Sequence, residues 1–131
     1  MSFSWGESNS GSSGFGGGAG AGKVNMQDIT FAIRTCKASP NLALACANGE
    51  HIPSATLTVR KAGKEQQEFL IFKFTSVLVS SYQLSGSTEL PTESLSLNYA
   101  KIEMSYSPQK TDGSLDAAVK FAYSVEENAA G

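Results

Sequence analysis

The chain contains few of the residues from which catalytic and metal sites are usually built. Its 131 residues include two cysteines and a single histidine, His51. Two cysteines are too few for a disulfide scaffold, and one histidine excludes most histidine-based metal sites. Charged residues make up only 17% of the chain, and the net charge is -2. Because no basic excess is available to neutralise phosphates, we do not expect nucleic acid as a partner.

Long apolar runs are also missing. No run approaches the roughly 20 residues that a membrane-spanning helix requires, so membrane insertion is not expected. The first residues lack the basic start and apolar middle of a cleavable signal peptide. The length is typical of one domain, and a chain of this size can bury a hydrophobic core without disulfide bonds. We therefore expect a single soluble domain over residues 1–131.

Glycine is plentiful but concentrated near the start of the chain. Eight of the 13 glycines lie in residues 1–22, with six serines among them. Such a segment cannot bury enough apolar surface to offset its ordering entropy. Strand-like apolar residues flank it on both sides, at Phe3 and Trp5 and from Met26 onward. The pattern predicts a flexible Gly/Ser-rich loop over residues 6–24 that connects two strands.

Part of this loop imitates a phosphate-binding loop. Residues 17–23 satisfy the first seven positions of that motif, but Val24 stands where a serine or threonine must ligate magnesium. The motif should also open a helix, whereas the residues after Val24 have a strand-like pattern. We therefore predict no nucleotide and no other cofactor.

Alternation of apolar and polar residues predicts strands after Lys23. They are expected over residues 28–34, 55–60, 69–79, 94–107 and 119–125. In the first of them, Ile29, Phe31 and Ile33 share one face. In the last, the inward residues are expected to be Val119, Phe121, Tyr123 and Val125.

The third predicted strand is apolar on both faces at its start. Leu70, Phe72 and Phe74 occupy one face, as in a strand that is covered on both sides. Phe69 and Ile71 occupy the other face and need a second cover. An exposed apolar patch of this kind is typical of a subunit interface.

The fourth predicted strand changes phase. Its apolar residues occupy odd positions up to Tyr99 and even positions from Ile102 onward. A one-residue shift exchanges the two faces of a strand unless a bulge absorbs the extra residue. We place this bulge near Tyr99–Ala100.

One helix is predicted over residues 40–48. Ser39 is expected to cap it, Pro40 suits its first turn, and Gly49 can end it. A helix this short is marginal alone in water, so it must pack on the sheet or on another subunit. The fold class is therefore all-β, a small β-barrel or sandwich with one short flanking α-helix.

The remaining reactive side chains form no recognisable catalytic or metal site. Cys36 and Cys46 are expected to be free, buried thiols, with redox pairing as the alternative. His51 is expected in an exposed loop, and no Gly-x-Ser-x-Gly nucleophile motif accompanies it. The glutamates, Glu93 among them, are expected on solvated faces. We predict that the protein is not an enzyme.

Several short motifs lie in the order typical of one known family. They are SWG at 4–6, AGKVNMQD at 21–28, ASPNL at 38–42, LTVRKAG at 57–63, VSS at 79–81, LNYAK at 97–101 and PQKTDG at 108–113. Each motif is weak alone, but the ordered set covers nearly the whole chain. It resembles the haemolysin-coregulated protein (Hcp) family, the tube subunit of the type VI secretion system.

The resemblance implies a β-barrel with a flanking helix and a structural, non-enzymatic role. Family members form homohexameric rings that stack into a hollow tube, which a contractile sheath propels with the spike. The lumen holds effectors. The protein would therefore stay in the bacterial cytoplasm before firing and then be secreted without a cleavable signal peptide. The alternative is an Hcp-like effector carrier or chaperone that does not grow tubes. Family members usually carry a further strand before the SWG motif, and its absence here favours this alternative.

The resemblance also implies roles for individual residues. Ser4 would lie on a strand that lines the lumen, facing opposite to Phe3 and Trp5, and would contact cargo. The glycine-rich loop would make the contacts between stacked rings through Gly14, Gly16, Gly17, Gly18, Gly20 and Gly22. The candidate subunit interface comprises Phe69, Ile71 and Leu42.

Overall fold

The computed structural model describes residues 1–9, 24–61, 67–86 and 90–125. One helix and eight strands lie in these ranges, which confirms the predicted all-β class. They are β1 Ser2–Ser4, β2 Glu7–Asn9, β3 Val24–Met26, β4 Ile29–Arg34, α1 Ser39–Asn48, β5 His51–Arg60, β6 Glu68–Ser85, β7 Thr92–Tyr106 and β8 Val119–Ser124.

The chain divides into two compact units that share its two longest strands. The first comprises Met1–His51 and Leu78–Asn98, and the second comprises Ile52–Val77 and Tyr99–Gly131. β6 and β7 run through both units, so each unit takes one part of each strand. That the chain folds as a single domain stays a prediction.

In the first unit, the hydrogen-bonded strands follow the order β1-β4-β7-β6. The β1–β4 and β4–β7 pairs are antiparallel, so Phe31 lies opposite both Phe3 and Leu95. β4 buries Ile29 and Phe31 and exposes Thr30, which confirms the predicted alternation. The buried apolar residues of this unit are Ile29, Phe31, Ala45, Val79, Leu95 and Leu97.

The strands before and after the glycine-rich segment in the sequence form a second small sheet. β2 pairs with β3 antiparallel, with Ser8 opposite Asn25. The loop predicted over residues 6–24 is therefore too long at both ends, because residues 7–9 and Val24 belong to these two strands. The six glycines predicted to make ring-stacking contacts lie outside the described residues.

In the second unit, the strand order is β5-β6-β7-β8. The aromatic rings of Phe74 and Tyr99 contact each other with their centroids 5.1 Å apart. β7 and β8 are antiparallel, with Ile102 opposite Tyr123. The buried apolar residues of this unit are Leu57, Phe72, Phe74, Val77, Tyr99 and Ile102.

The predicted change of phase in β7 is confirmed. Its buried residues are odd-numbered up to Tyr99, and the next one is Ile102. β6 changes phase in the same way between Phe74 and Val77. Between them, Ser76 has a φ of 54°, in the left-handed region that L-residues rarely adopt. The extra residue in β6 is thus accommodated by a local backbone kink.

Helix α1 confirms two of its three predicted end signals. Pro40 lies in the first turn, and Gly49 ends the helix with a φ of 62°. The prediction that Ser39 caps the helix is wrong. The cap position belongs to Ala38, which makes no side-chain capping bond. Ser39 is the first helical residue, and its hydroxyl is engaged elsewhere, as described below.

The last strand is less buried than its alternation predicts. Phe121 and Tyr123 are half-buried, but Val119 is 69% exposed and Val125 is 38% exposed. The expectation that all four point inward is wrong for the two valines. Among the described strands β8 pairs only with β7, so its two ends receive little cover.

Two smaller expectations also need correction. Cys36 and Cys46 are free, as predicted, but Cys36 is exposed and Cys46 is half-buried. Cys36 lies in the connection between β4 and α1, where its side chain is open to solvent. His51 is exposed as expected, but it begins β5 instead of lying in a loop.

Candidate functional site

Hydroxyl side chains form a row across the sheet of the first unit. Ser4 lies opposite Thr30, and Thr30 lies opposite Ser96. Residues that are directly opposite share one face of the sheet. The Ser96 hydroxyl is hydrogen-bonded to the hydroxyls of Ser80, at 2.7 Å, and Ser81, at 2.6 Å. We call these five residues the hydroxyl row. Ser96 is half-buried and the other four are exposed.

A carboxylate holds one end of the hydroxyl row in place. Asp28 Oδ2 accepts a 2.6 Å hydrogen bond from Ser80, and Oδ1 accepts a 3.0 Å bond from the Asn98 amide. Ser80 lies in β6, Asn98 lies in β7, and Asp28 lies in the short connection between β3 and β4. Of the residues on this face, only Ser4 is predicted from the sequence as a contact residue. The other members become neighbours only through strand pairing, which no local pattern encodes.

The hydroxyl row has the chemistry of a contact surface. Its hydroxyls can donate or accept hydrogen bonds, so the row can contact many different polar groups. Only one carboxylate, Asp28, is bonded to it in the described residues. A surface of this composition can touch another protein without strong electrostatic attraction. Within the described residues, His51 makes no hydrogen bond to the hydroxyl row.

A second polar cluster is buried in the first unit. The Glu93 side chain is 2% exposed, and Ser39, also buried, donates a 2.7 Å hydrogen bond to its Oε2. Tyr82 donates a hydrogen bond to Oε1. Ser39 Oγ also accepts a 2.9 Å bond from the Cys36 backbone N–H. The expectation that Glu93 lies on a solvated face is wrong, because these hydroxyls replace water around its carboxylate.

This buried cluster joins the start of helix α1 to strands β6 and β7. The pKa of Tyr82 is raised above its ordinary value of 10.0. The hydrogen bond to Glu93 is the larger cause, and burial of the phenol is the next. Both effects favour the neutral phenol, which is the form that donates to the carboxylate. The cluster has a structural role, because its hydrogen bonds hold the first residue of α1 against strands β6 and β7.

The predicted interface residues lie at partly accessible positions. Ile71 lines a groove of about 310 Å³ on the second unit, together with Met104 and Phe121. Phe69 lines another groove, of about 270 Å³, with Tyr106 and Leu115. Leu42 is half-buried in α1. All three predicted residues thus keep part of their apolar surface in contact with solvent.

The described residues hold no cluster of three or more His, Cys, Asp or Glu side chains that could bind a metal ion. Within the same ranges, no helix is long and apolar enough to cross a membrane.

The comparisons with known proteins agree with one another. The family model described as "Type VI secretion system effector, Hcp" matches residues 1–106. Protein hcp1 of Pseudomonas aeruginosa strain PAO1 is 47% identical in a 110-residue alignment that covers 81% of this chain and 68% of that protein.

Solved structures show the same similarity. A structure described as that of a type six secretion system protein has a TM-score of 0.90 at 27% identity, over 100% of this chain and 84% of the other. Hcp1 of Salmonella typhimurium has a TM-score of 0.76 at 26% identity, over 100% of this chain and 81% of the other. The fold and sequence therefore define a type VI secretion protein.

The family match covers most of the chain, and the curated relative shares 47% of the aligned residues. The chain belongs to the Hcp family. This confirms the resemblance inferred from the ordered motifs.

Proposed function

We propose that this protein is the structural tube subunit of a type VI secretion system. Copies form homohexameric rings, the rings stack into a hollow tube, and the lumen holds effectors. The observation that carries the proposal is the match of residues 1–106 to the Hcp family. The protein acts with the sheath, the spike and its effectors. It resides in the cytoplasm before firing and is then secreted.

Partly covered apolar residues support the ring. A ring requires a heterologous interface, in which one patch meets a different patch on the neighbour. Phe69 and Ile71 line accessible grooves on the second unit, and Leu42 is half-buried on α1. Burying such residues against a neighbour stabilises the assembly by roughly 25 cal/mol per Å² of apolar surface. We propose these three residues as parts of the subunit interface.

The hydroxyl row supports a lumenal face. A channel that releases its cargo should contact it through many weak, adaptable hydrogen bonds. Ser4, at the β1 end of the row, is exposed and lies on a strand that pairs with the strand of Thr30. We propose that Ser4 faces the lumen and touches cargo. The glycine-rich segment from Gly14 to Gly22 is proposed to contact the adjacent ring, since backbone can approach backbone closely there.

Light scattering on the purified protein tests the proposal. The subunit has a mass of 13.7 kDa, so a ring of six subunits has six times this mass. We expect the ring mass, or multiples of it, in wild-type protein. Phe69→Glu should shift the mass towards that of a single subunit, because a charge cannot be buried without a partner. Gln83→Glu adds the same charge at an exposed polar position and should leave the ring mass unchanged.

Two results would contradict parts of the proposal. A wild-type mass equal to that of one subunit at every concentration would overturn both ring and tube. Rings that never stack, but still retain effectors, would favour the alternative of a carrier or chaperone that does not grow tubes.

A further inference from the structure

A groove on the second unit combines apolar surface with positive charge. It has a volume of about 310 Å³, and its lining includes the apolar residues Ile71 and Ala122. Lys73 and Lys120 lie on the same groove and are exposed. We call it the basic groove. Its lining comes from three neighbouring strands, β6, β7 and β8.

The described residues do not neutralise the positive charge of the basic groove. Glu103 also lines the groove, but its Oε1 lies 3.5 Å from Lys101 Nζ, so that charge already has a partner. Among the described residues, neither Lys73 nor Lys120 has a carboxylate within ion-pair distance. Two such ammonium groups beside apolar surface favour an occupant that is acidic and partly apolar.

The sequence offers one segment with this chemistry. Glu126 and Glu127 are the only two acidic residues that are adjacent in the chain. They directly follow Val125, an apolar residue that is 38% exposed. Small and uncharged residues fill the remainder, from Asn128 to Gly131. We call residues 125–131 the acidic tail.

The acidic tail begins at the C-terminal end of β8, whereas Lys120 lies near the N-terminal end of that strand. Lys120 lies opposite Ser105, near one end of the β7–β8 pair. At the other end, the Val125 N–H donates a 2.7 Å hydrogen bond to the Ala100 carbonyl. Five residues of strand at about 3.3 Å each separate Lys120 from Val125 by roughly 16 Å. Glu126 and Glu127 follow Val125 directly in the sequence, so both start far from Lys120 of their own copy, and we take the groove of another copy as the target.

We propose that the acidic tail of one copy docks in the basic groove of a neighbouring copy. Glu126 and Glu127 pair with Lys73 and Lys120, and Val125 covers part of the apolar surface. The contact is heterologous, as a ring or a stack requires. It rests on the proposed assembly, and it names a tail and a groove as one of the assembly's contacts. Because the charged groups are exposed, salt should weaken the contact.

Zero-length cross-linking of the full chain tests this contact. Equal amounts of unlabelled and ¹⁵N-labelled protein are mixed and allowed to reassemble. A carbodiimide then activates glutamate carboxylates, which form amide bonds with lysine amines in contact, while the reagent takes up the water as a urea. We expect peptides that join residue 126 or 127 to Lys73 or Lys120. Half of these peptides should combine a labelled with an unlabelled partner.

Charge reversal provides the matched comparison. Lys73→Glu with Lys120→Glu, or Glu126→Lys with Glu127→Lys, should reduce wild-type tail–groove cross-links at least tenfold. Mixing the two reversed proteins should restore cross-links between them, with the roles of acid and amine exchanged. Lys37→Glu with Lys110→Glu, at exposed lysines outside the groove, should leave the tail–groove cross-links unchanged.

The outcomes separate this inference from the proposed function. Wild-type protein with the mass of a ring but without mixed-label tail–groove peptides would overturn the docking and leave the ring intact. Peptides of uniform label alone would place the tail on its own copy and would also overturn it. A wild-type mass equal to that of one subunit throughout would overturn the docking and the ring together.

Discussion

Replacing Ser39 with alanine should destabilise the protein by about 2–3 kcal/mol, a loss that follows from its two hydrogen bonds. The hydroxyl donates to a buried carboxylate at 2.7 Å and accepts from the Cys36 N–H at 2.9 Å. Losing a bond to a charged group costs about 1.5–3 kcal/mol, and losing the second bond adds about 0.5–1.5 kcal/mol. Alanine recovers at most about 0.5 kcal/mol through its higher helix propensity.

Urea unfolding followed by circular dichroism measures this loss. With a slope of about 1.5 kcal/mol per M, the midpoint should fall by roughly 1.5 M while the slope stays constant. Every variant is compared at one protein concentration, because assembly adds to apparent stability.

The exposed serine next to Glu93 is the control. Ser94→Ala changes the same atoms on the surface of β7 and should alter stability by less than about 0.5 kcal/mol. In a double-mutant cycle, Ser39→Ala and Glu93→Leu should show a coupling of about 1 kcal/mol or more. A midpoint for Ser39→Ala that matches Ser94→Ala would refute the conclusion that this hydroxyl solvates the buried carboxylate.

Three further predictions concern other parts of the chain. Ser76→Gly should raise the melting temperature, since glycine relieves a strain of about 1 kcal/mol at the φ of 54°; an unchanged or lower value would contradict this. Bonds from the Ser114 hydroxyl and N–H lower the pKa of Asp112 below 3.8, so their stabilisation is present above that pH and lost as pH falls through the lowered pKa. An NMR titration should show Ser114→Ala moving the Asp112 midpoint upward, and no movement would contradict the assignment. Ser4→Gln should weaken effector retention in pull-down and leave ring formation intact, and unchanged recovery would remove Ser4 from the cargo surface.

Local alternation predicted the parts of the fold that local burial determines. Ile29 and Phe31 are buried as the pattern of β4 indicates. The phase change between Tyr99 and Ile102 could be predicted, because a one-residue shift moves the apolar residues from odd to even positions in the sequence. Gly49 ends the helix because glycine adopts a positive φ there without a steric penalty.

Contacts between distant residues were beyond the reach of such patterns. Ser39 and Glu93 are 54 positions apart, and nothing near either residue marks them as partners. A glutamate in an alternating segment looks solvated until strand pairing places hydroxyls around it. Val119 looked buried by alternation, but alternation does not indicate whether anything covers the end of an edge strand. The hydroxyl row was missed for the same reason, apart from Ser4.

Electron microscopy of the purified full chain tests the central claim most directly. If copies of this protein build the type VI tube, class averages will show rings with six-fold symmetry, and higher concentrations will show stacks with a continuous central channel. A field of single subunits without rings at every concentration would contradict the claim.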